Sequence, residues 1–309
     1  MELSARWLAG LLALTFWTAS AACADDHVCP AGGPVCCCYK HVKHHGWKAL
    51  ESRRFRIHYS GPDATAVPLV AFCEQTCESL RDRWIADQRP TWSCKCDIYV
   101  YATAKQFEKG AKAPALMWGV ADLEIGEGRV FKRRLHVRGD EPAKIKPVLT
   151  HEMTHVVLAE YFCRKPIPRW ADEGIAVFSE PPERQQRMVS FLKDEAAMKR
   201  LLPLRQITAA GYQGPQNERE SELFYGQSGA VIEYLVTKHQ LTEAGVLQLV
   251  HLSGEQGWEK AIEKTLPGTK AAQFESEWKT WLVNREETLL TSVEDGPEDS
   301  GTETPQAGG

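Results

Sequence analysis

The chain reads as an α+β protein, with a small mixed or antiparallel sheet towards its N-terminus and a mainly helical second half. Three observations predict this. Period-two alternation, the mark of a half-buried strand, is confined to short runs before Gly139, such as Phe55-Arg56-Ile57-His58-Tyr59. From Glu183 onward apolar residues recur at helical spacing instead, as Met188, Phe191 and Leu192 do. Between the two regimes lies Thr150–Ser179, two helical stretches separated by Lys165-Pro166-Ile167-Pro168, where a helix must stop.

Residues 1–24 form a targeting segment. Arg6 supplies the positive start, Trp7–Trp17 is an apolar run too short to span a bilayer, and small residues follow. Cleavage after Ala24 would leave Asp25 as the new terminus. Alternatively, Ser20-Ala21-Ala22-Cys23 has the form of a lipobox with an unusual first position, which would anchor the protein through a lipid on Cys23. Either route makes the protein extracytoplasmic, periplasmic or secreted. Ten cysteines in 309 residues agree with an oxidising compartment.

Residues 25–50 concentrate Cys29, Cys36, Cys37, Cys38, His41, His44 and His45. Thiolate and imidazole both suit zinc, yet the spacing fits no zinc-finger or ribbon template, so the segment is either a second metal site or a disulfide staple. Arg53–Ser60 is a strand that Gly61-Pro62-Asp63 ends. Ala64–Ala86 is a helix carrying Cys73 and Cys77 one turn apart, and Cys94–Tyr101 is a strand carrying Cys94 and Cys96 on one side. Matched pairs on adjacent elements predict one or two disulfides among these four. Thr103–Gly110 reads as a short helix, and Met117–Val120 and Arg129–Val137 as strands, the last basic enough for a sheet edge.

The chemistry sits in His151-Glu152-Met153-Thr154-His155. Residues four apart share a helix face, so the two imidazoles can hold one metal ion while Glu152 stands on the rim of that face without being a ligand. Pro147 fits a first helical turn, and Val148, Leu149, Val156, Val157 and Leu158 provide apolar flanks. Two histidines need a third protein ligand to make an open catalytic zinc site, and Glu173 on the following helix is the candidate. Pro168 opens that helix, Pro181-Pro182 ends it, and Gly174 permits close backbone approach.

Past it, helices are expected over Glu183–Arg200, Glu222–His239, Thr242–Leu252, Gly257–Leu266 and Ala271–Leu290, with a polar loop at Gly211–Ser221. Residues 293–309 are an acidic tail without apolar period, expected to be disordered.

His151-Glu152-x-x-His155 followed by Trp170-x-x-Glu173-Gly174-x-Ala176 resembles the gluzincin metallopeptidases, and more closely their exported bacterial relatives grouped as peptidase-MA-like proteins. The likeness runs from about Phe55 to Leu282 and includes Tyr225-Gly226-Gln227-Ser228 and a last helix bearing Trp278 and Trp281. It implies a thermolysin-like core over 51–180, a helical part over 181–292, one catalytic Zn²⁺ held by His151, His155 and Glu173, and a water activated by Glu152. It also implies a tyrosine that donates to the oxyanion, Tyr225 first and Tyr212 second. A peptide or protein would be the substrate, bound by strand addition along Arg129–Arg138.

A net charge of −4 leaves no basic footprint, so nucleic acid is not an expected partner. No apolar run after the targeting segment has the length of a membrane span. The competing reading is a catalytically silent gluzincin-like module of the cell envelope. Retention of Glu152, which such a module would not need, favours the peptidase. Oligomeric state is not encoded legibly.

Overall fold

A computed structural model describes residues 38–86, 92 and 94–285. The targeting segment, Cys23, Cys29, Cys36, Cys37 and the acidic tail lie outside the described residues. The chain divides into two compact units, Met1–Ile167 and Pro168–Gly309. The division falls in the proline-rich break read from the sequence.

The first unit is α+β. Its strands are β1 (Lys40–His44), β2 (Trp47–Glu51), β3 (Phe55–Tyr59), β4 (Cys96–Tyr101), β5 (Gly119–Gly126) and β6 (Arg129–Arg138), in the sheet order β1-β2-β3-β4-β6-β5. Its helices are α1 (Asp63–Ile85), α2 (Ala104–Ala111) and α3 (Pro142–Tyr161). The sheet is mixed: β3–β4 and β4–β6 run parallel, the other pairs antiparallel. The β1–β2 and β5–β6 hairpins turn on two consecutive residues of positive φ, His45 (49°) with Gly46 (81°) and Glu127 (50°) with Gly128 (72°). Left-handed pairs of this kind match the twist of antiparallel strands.

The expected sheet edge at Arg129–Val137 is corrected: β6 lies between β4 and β5, and the edges are β1 and β5. Two basic residues of β6 find partners, one across the strand and one on α3. Lys132 pairs across the strand with Asp122 at 3.1 Å, and buried Arg133 lies 3.9 Å from the Glu160 carboxylate of α3 and over the Trp92 ring. Paired charges do not need an edge.

One face of the sheet is apolar. Leu50, Phe55, Ile57, Cys96, Ile98, Leu135 and Val137 are fully buried there, where α1 and α3 pack against the strands and each other. Buried Glu74 of α1 binds the β2–β3 connection: it accepts from Ser52 Oγ (2.8 Å), Arg54 N (2.7 Å) and Arg54 Nη1 (3.0 Å). The alternation of the strands sends the polar set to the other face: His44, Arg56, His58, Asp97, Tyr99, Tyr101 and His136. There His58, Tyr99, Tyr101 and His136 stack nearly parallel.

The disulfides expected among Cys73, Cys77, Cys94 and Cys96 do not form; all four are free thiols. Cys94 precedes β4 and turns out to the Phe131 carbonyl (3.1 Å), while Cys73, Cys77 and Cys96 fill the core as small apolar groups. Burial pushes the thiol of Cys77 up to about 12 and raises those of Cys73 and Cys96 well above the ordinary thiol range.

The second unit is all-helical among its described residues: α4 (Arg169–Phe178), α5 (Pro182–Ala197), α6 (Leu204–Ile207), α7 (Glu218–Thr237), α8 (Glu243–Gln256), α9 (Trp258–Thr265) and α10 (Ala271–Asn284). The helices start where polar caps permit. The Asn217 side chain accepts from Glu220 N (2.9 Å) and that of Thr242 from Gly245 N (3.1 Å). Their core is aromatic, with Trp170 edge-on to Trp258 and Phe274 against both Trp258 and Tyr234. Residues 286–290 of the expected last helix fall outside the described part.

Candidate metal centre

The helix that carries His151 and His155 begins earlier than its sequence suggests. Pro142 opens α3, and Pro147 sits inside the helix rather than in its first turn, at the loss of one backbone hydrogen bond. The buried stripe Val148, Leu149, Met153, Val156, Val157 and Leu158 holds α3 against the sheet and α1. This leaves His151 and His155 half-buried on the free face, their ring centroids 5.0 Å apart and their planes at 76°.

Glu152 lies on the sheet side of that face and is only 8% exposed. Its carboxylate occupies a space that exists because β5 begins with glycine. A Cβ on Gly119 would stand 2.6 Å from Glu152 Oε1 and 2.5 Å from Val148 Cγ1. The carboxylate is therefore held against backbone in a cradle that any larger side chain would fill. Sequence reading found Glu152 but not Gly119, because the two meet only when β5 packs on α3.

In the second unit, Glu173 sits half-buried on α4 between buried Trp170 and Gly174. Gly174 does permit a close approach, and its neighbour is α7: a Cβ there would lie 2.6 Å from the Ser228 carbonyl oxygen. Gly229 of α7 reciprocates, since its Cβ would lie 2.6 Å from Val177 Cγ1. Asp172 is half-buried beside Glu173. Tyr225, half-buried on α7, has its ring 5.6 Å from that of Phe224. Tyr212 lies on the other side of Phe224 at 5.2 Å, and burial raises its hydroxyl pKa.

Two imidazoles one helical turn apart, half accessible and on a firmly packed helix, are donors that suit zinc. A zinc centre on them needs a further protein ligand. His136 is not placed for it: strand alternation turns it to the polar face of the sheet, away from α3, where Tyr101 Oη is hydrogen-bonded to its Nδ1 at 2.8 Å.

Of the Cys/His-rich segment, Cys38, His41, His44 and His45 fall within the described residues. Cys38 is buried and is not one of the free thiols. His41 faces Asp63 at 3.8 Å, and His45 is spent on the β1–β2 turn. Among the described residues of the segment, His44 joins a potential ligand group, and its companions are His58 and Asp97. Neither was singled out from sequence. The one available signal was their place on alternating strands, on the side opposite the apolar residues.

A model of the peptidase MA superfamily matches residues 91–284, which include every strand from β4 on and all the helices from α2 to α10. No curated protein matches the chain. No helix of the described residues is long and apolar enough to cross a membrane.

Proposed function

The chain belongs to the peptidase MA superfamily, and from that membership we propose that it is an exported zinc metallopeptidase that hydrolyses peptide bonds. The observation that carries the reading is the half-buried His151/His155 pair on α3 with Glu152 buried beside it in the Gly119 cradle. Export is supported by the targeting pattern of residues 1–24 and by the cysteine content.

His151, His155 and Glu173 are the proposed ligands. The zinc ion, when bound, supplies a Lewis acid that polarises the scissile carbonyl and makes water acidic near neutral pH. The residues then divide the remaining work. Glu152 accepts a proton from the attacking water as the new C–O bond forms. It returns that proton to the amine nitrogen as the C–N bond breaks. Tyr225 is proposed to donate its hydroxyl hydrogen to the oxyanion of the tetrahedral intermediate. A cradle that fixes the Glu152 carboxylate limits reorganisation at the moment of transfer.

The test compares metal content and proteolysis of unfolded protein substrates in the wild type and three variants. Glu152→Gln should keep one zinc at this centre and lose at least about 100-fold in turnover, the usual range for a removed general base. His155→Ala and Glu173→Ala should lose the zinc or bind it far more weakly. A Glu173→Ala variant that holds as much zinc as the wild type removes that residue from the ligand set. Equal proteolysis by wild type and Glu152→Gln would sink the enzyme reading and leave a zinc-holding envelope module.

A further inference from the structure

We propose that His44, His58 and Asp97 form a second metal site, for a divalent transition ion such as zinc, on the face of the sheet opposite α3. The three come from β1, β3 and β4 and share the polar face by strand alternation. One ligand atom from each lies within 4.8 Å of the other two. Donors around a tetrahedral zinc ion stand about 3.4 Å apart, so side-chain shifts of at most about 1.4 Å complete the geometry.

The rings are placed as ligands rather than as ordinary core histidines. His58 is fully buried and stacked on Tyr99 at 4.3 Å, with Nε2 at 2.9 Å from Asp97 Oδ1. His44 lies 5.1 Å from it, ring to ring. Among the described residues, Nδ1 of both His44 and His58 is buried with no hydrogen-bond partner, which natural interiors seldom leave so.

A cation already sits among these groups. Arg56 Nη1 donates to Asp97 Oδ1 at 2.9 Å and lies 3.3 Å from His44 Nε2. Its guanidinium stands in for the metal charge and neutralises Asp97. Arg56 also has a second anchor, since its Nε donates to Glu51 Oε2 at 3.0 Å. A metal ion would displace the Nη1 end while Glu51 keeps the side chain. The site is therefore a competition between a metal ion and Arg56, and the ion has to outbid a charge held nearby.

Equilibrium dialysis of the full chain against zinc tests this independently of any activity. The wild type should hold two zinc ions, His155→Ala one, His44→Ala one, and the double variant none. His44 is half exposed at a strand end, so its loss leaves the sheet intact. Arg56→Gln should tighten the second zinc at least about tenfold, because a like charge close to the ion is gone. A second zinc that His44→Ala leaves in place, or one zinc in the wild type that His155→Ala removes with Arg56→Gln gaining none, overturns the proposal and makes Arg56–Asp97 a permanent ion pair. If instead His155→Ala changes nothing while His44→Ala removes zinc, it is the α3 centre that fails.

Discussion

Glu152 shows how much of a residue's chemistry is decided by what is missing beside it. The His-Glu-x-x-His spacing places it next to the imidazoles, but the absent side chain at Gly119 is what admits its carboxylate. His136 shows the reverse case, a chemically capable group committed to structure. It is 7% exposed, hydrogen-bonded to Tyr101 and stacked on Tyr99, and burial lowers its pKa to about 4 from an ordinary 6.5. Above pH 6.5 it is neutral whether the chain is folded or not and contributes nothing to pH dependence. Between about 6.5 and 4 the unfolded chain takes up a proton that the native state refuses, so stability falls as pH falls. Below 4 the loss levels off at roughly 3 kcal/mol. Urea unfolding from pH 7 to 4 should therefore show a shallower decline for His136→Gln than for wild type. Parallel curves would mean that the ring is more easily protonated in the fold than its surroundings imply.

At the scale of elements, the crossing of α4 and α7 is the tightest constraint near the proposed third ligand. The backbones approach through Gly174 and Gly229, each of which would place a Cβ about 2.6 Å from an atom of the other helix. A clash with the Ser228 carbonyl cannot be relieved by rotating a side chain. Gly174→Ala should cost about 1–3 kcal/mol, the range for overpacking a close contact, despite the higher helix propensity of alanine. A shift of the urea midpoint to higher denaturant would mean that the two helices are looser than they stand here. The helices themselves were legible from their periods and prolines, with boundaries moved by a few residues. The turn at Glu127–Gly128 and the entry of Arg129–Arg138 into the middle of the sheet were not, because the charge of a strand does not disclose whether its partners lie across the sheet or in water.

For the whole molecule, the cysteines separate what composition implies from what the fold does. An export pattern with ten cysteines suggested a set of disulfides, yet Cys73, Cys77 and Cys96 are buried free thiols in the first unit. Cys94 and Cys163 are also free but half-accessible, hydrogen-bonded to the Phe131 and Gly128 carbonyls. Alkylation of the native chain followed by peptide mapping should label Cys94 and Cys163 first, with Cys73, Cys77 and Cys96 modified only after denaturation, because a buried thiol is both shielded and un-ionised. Early labelling of Cys73 or Cys77 would mean that α1 opens locally, and failure of all five to label after denaturation without reductant would mean that they are paired in the exported protein.

By itself the sequence determined what depends on neighbours in the chain. Helical period placed the bodies of α3 and α4 though not the start of α3 at Pro142, four-residue spacing brought His151 and His155 together, the proline run broke the two helices apart, and the motif pointed to the family. These follow from backbone geometry that a few consecutive residues impose. Tertiary structure alone decided the rest: the mixed strand order, the cradle of Gly119 under Glu152, the release of four cysteines from expected bridges, and the meeting of His44 with His58 and Asp97. Each of those depends on which distant residues the packed sheet sets side by side. Strand pairing joins segments far apart in the chain, and their encounter leaves no local pattern to read.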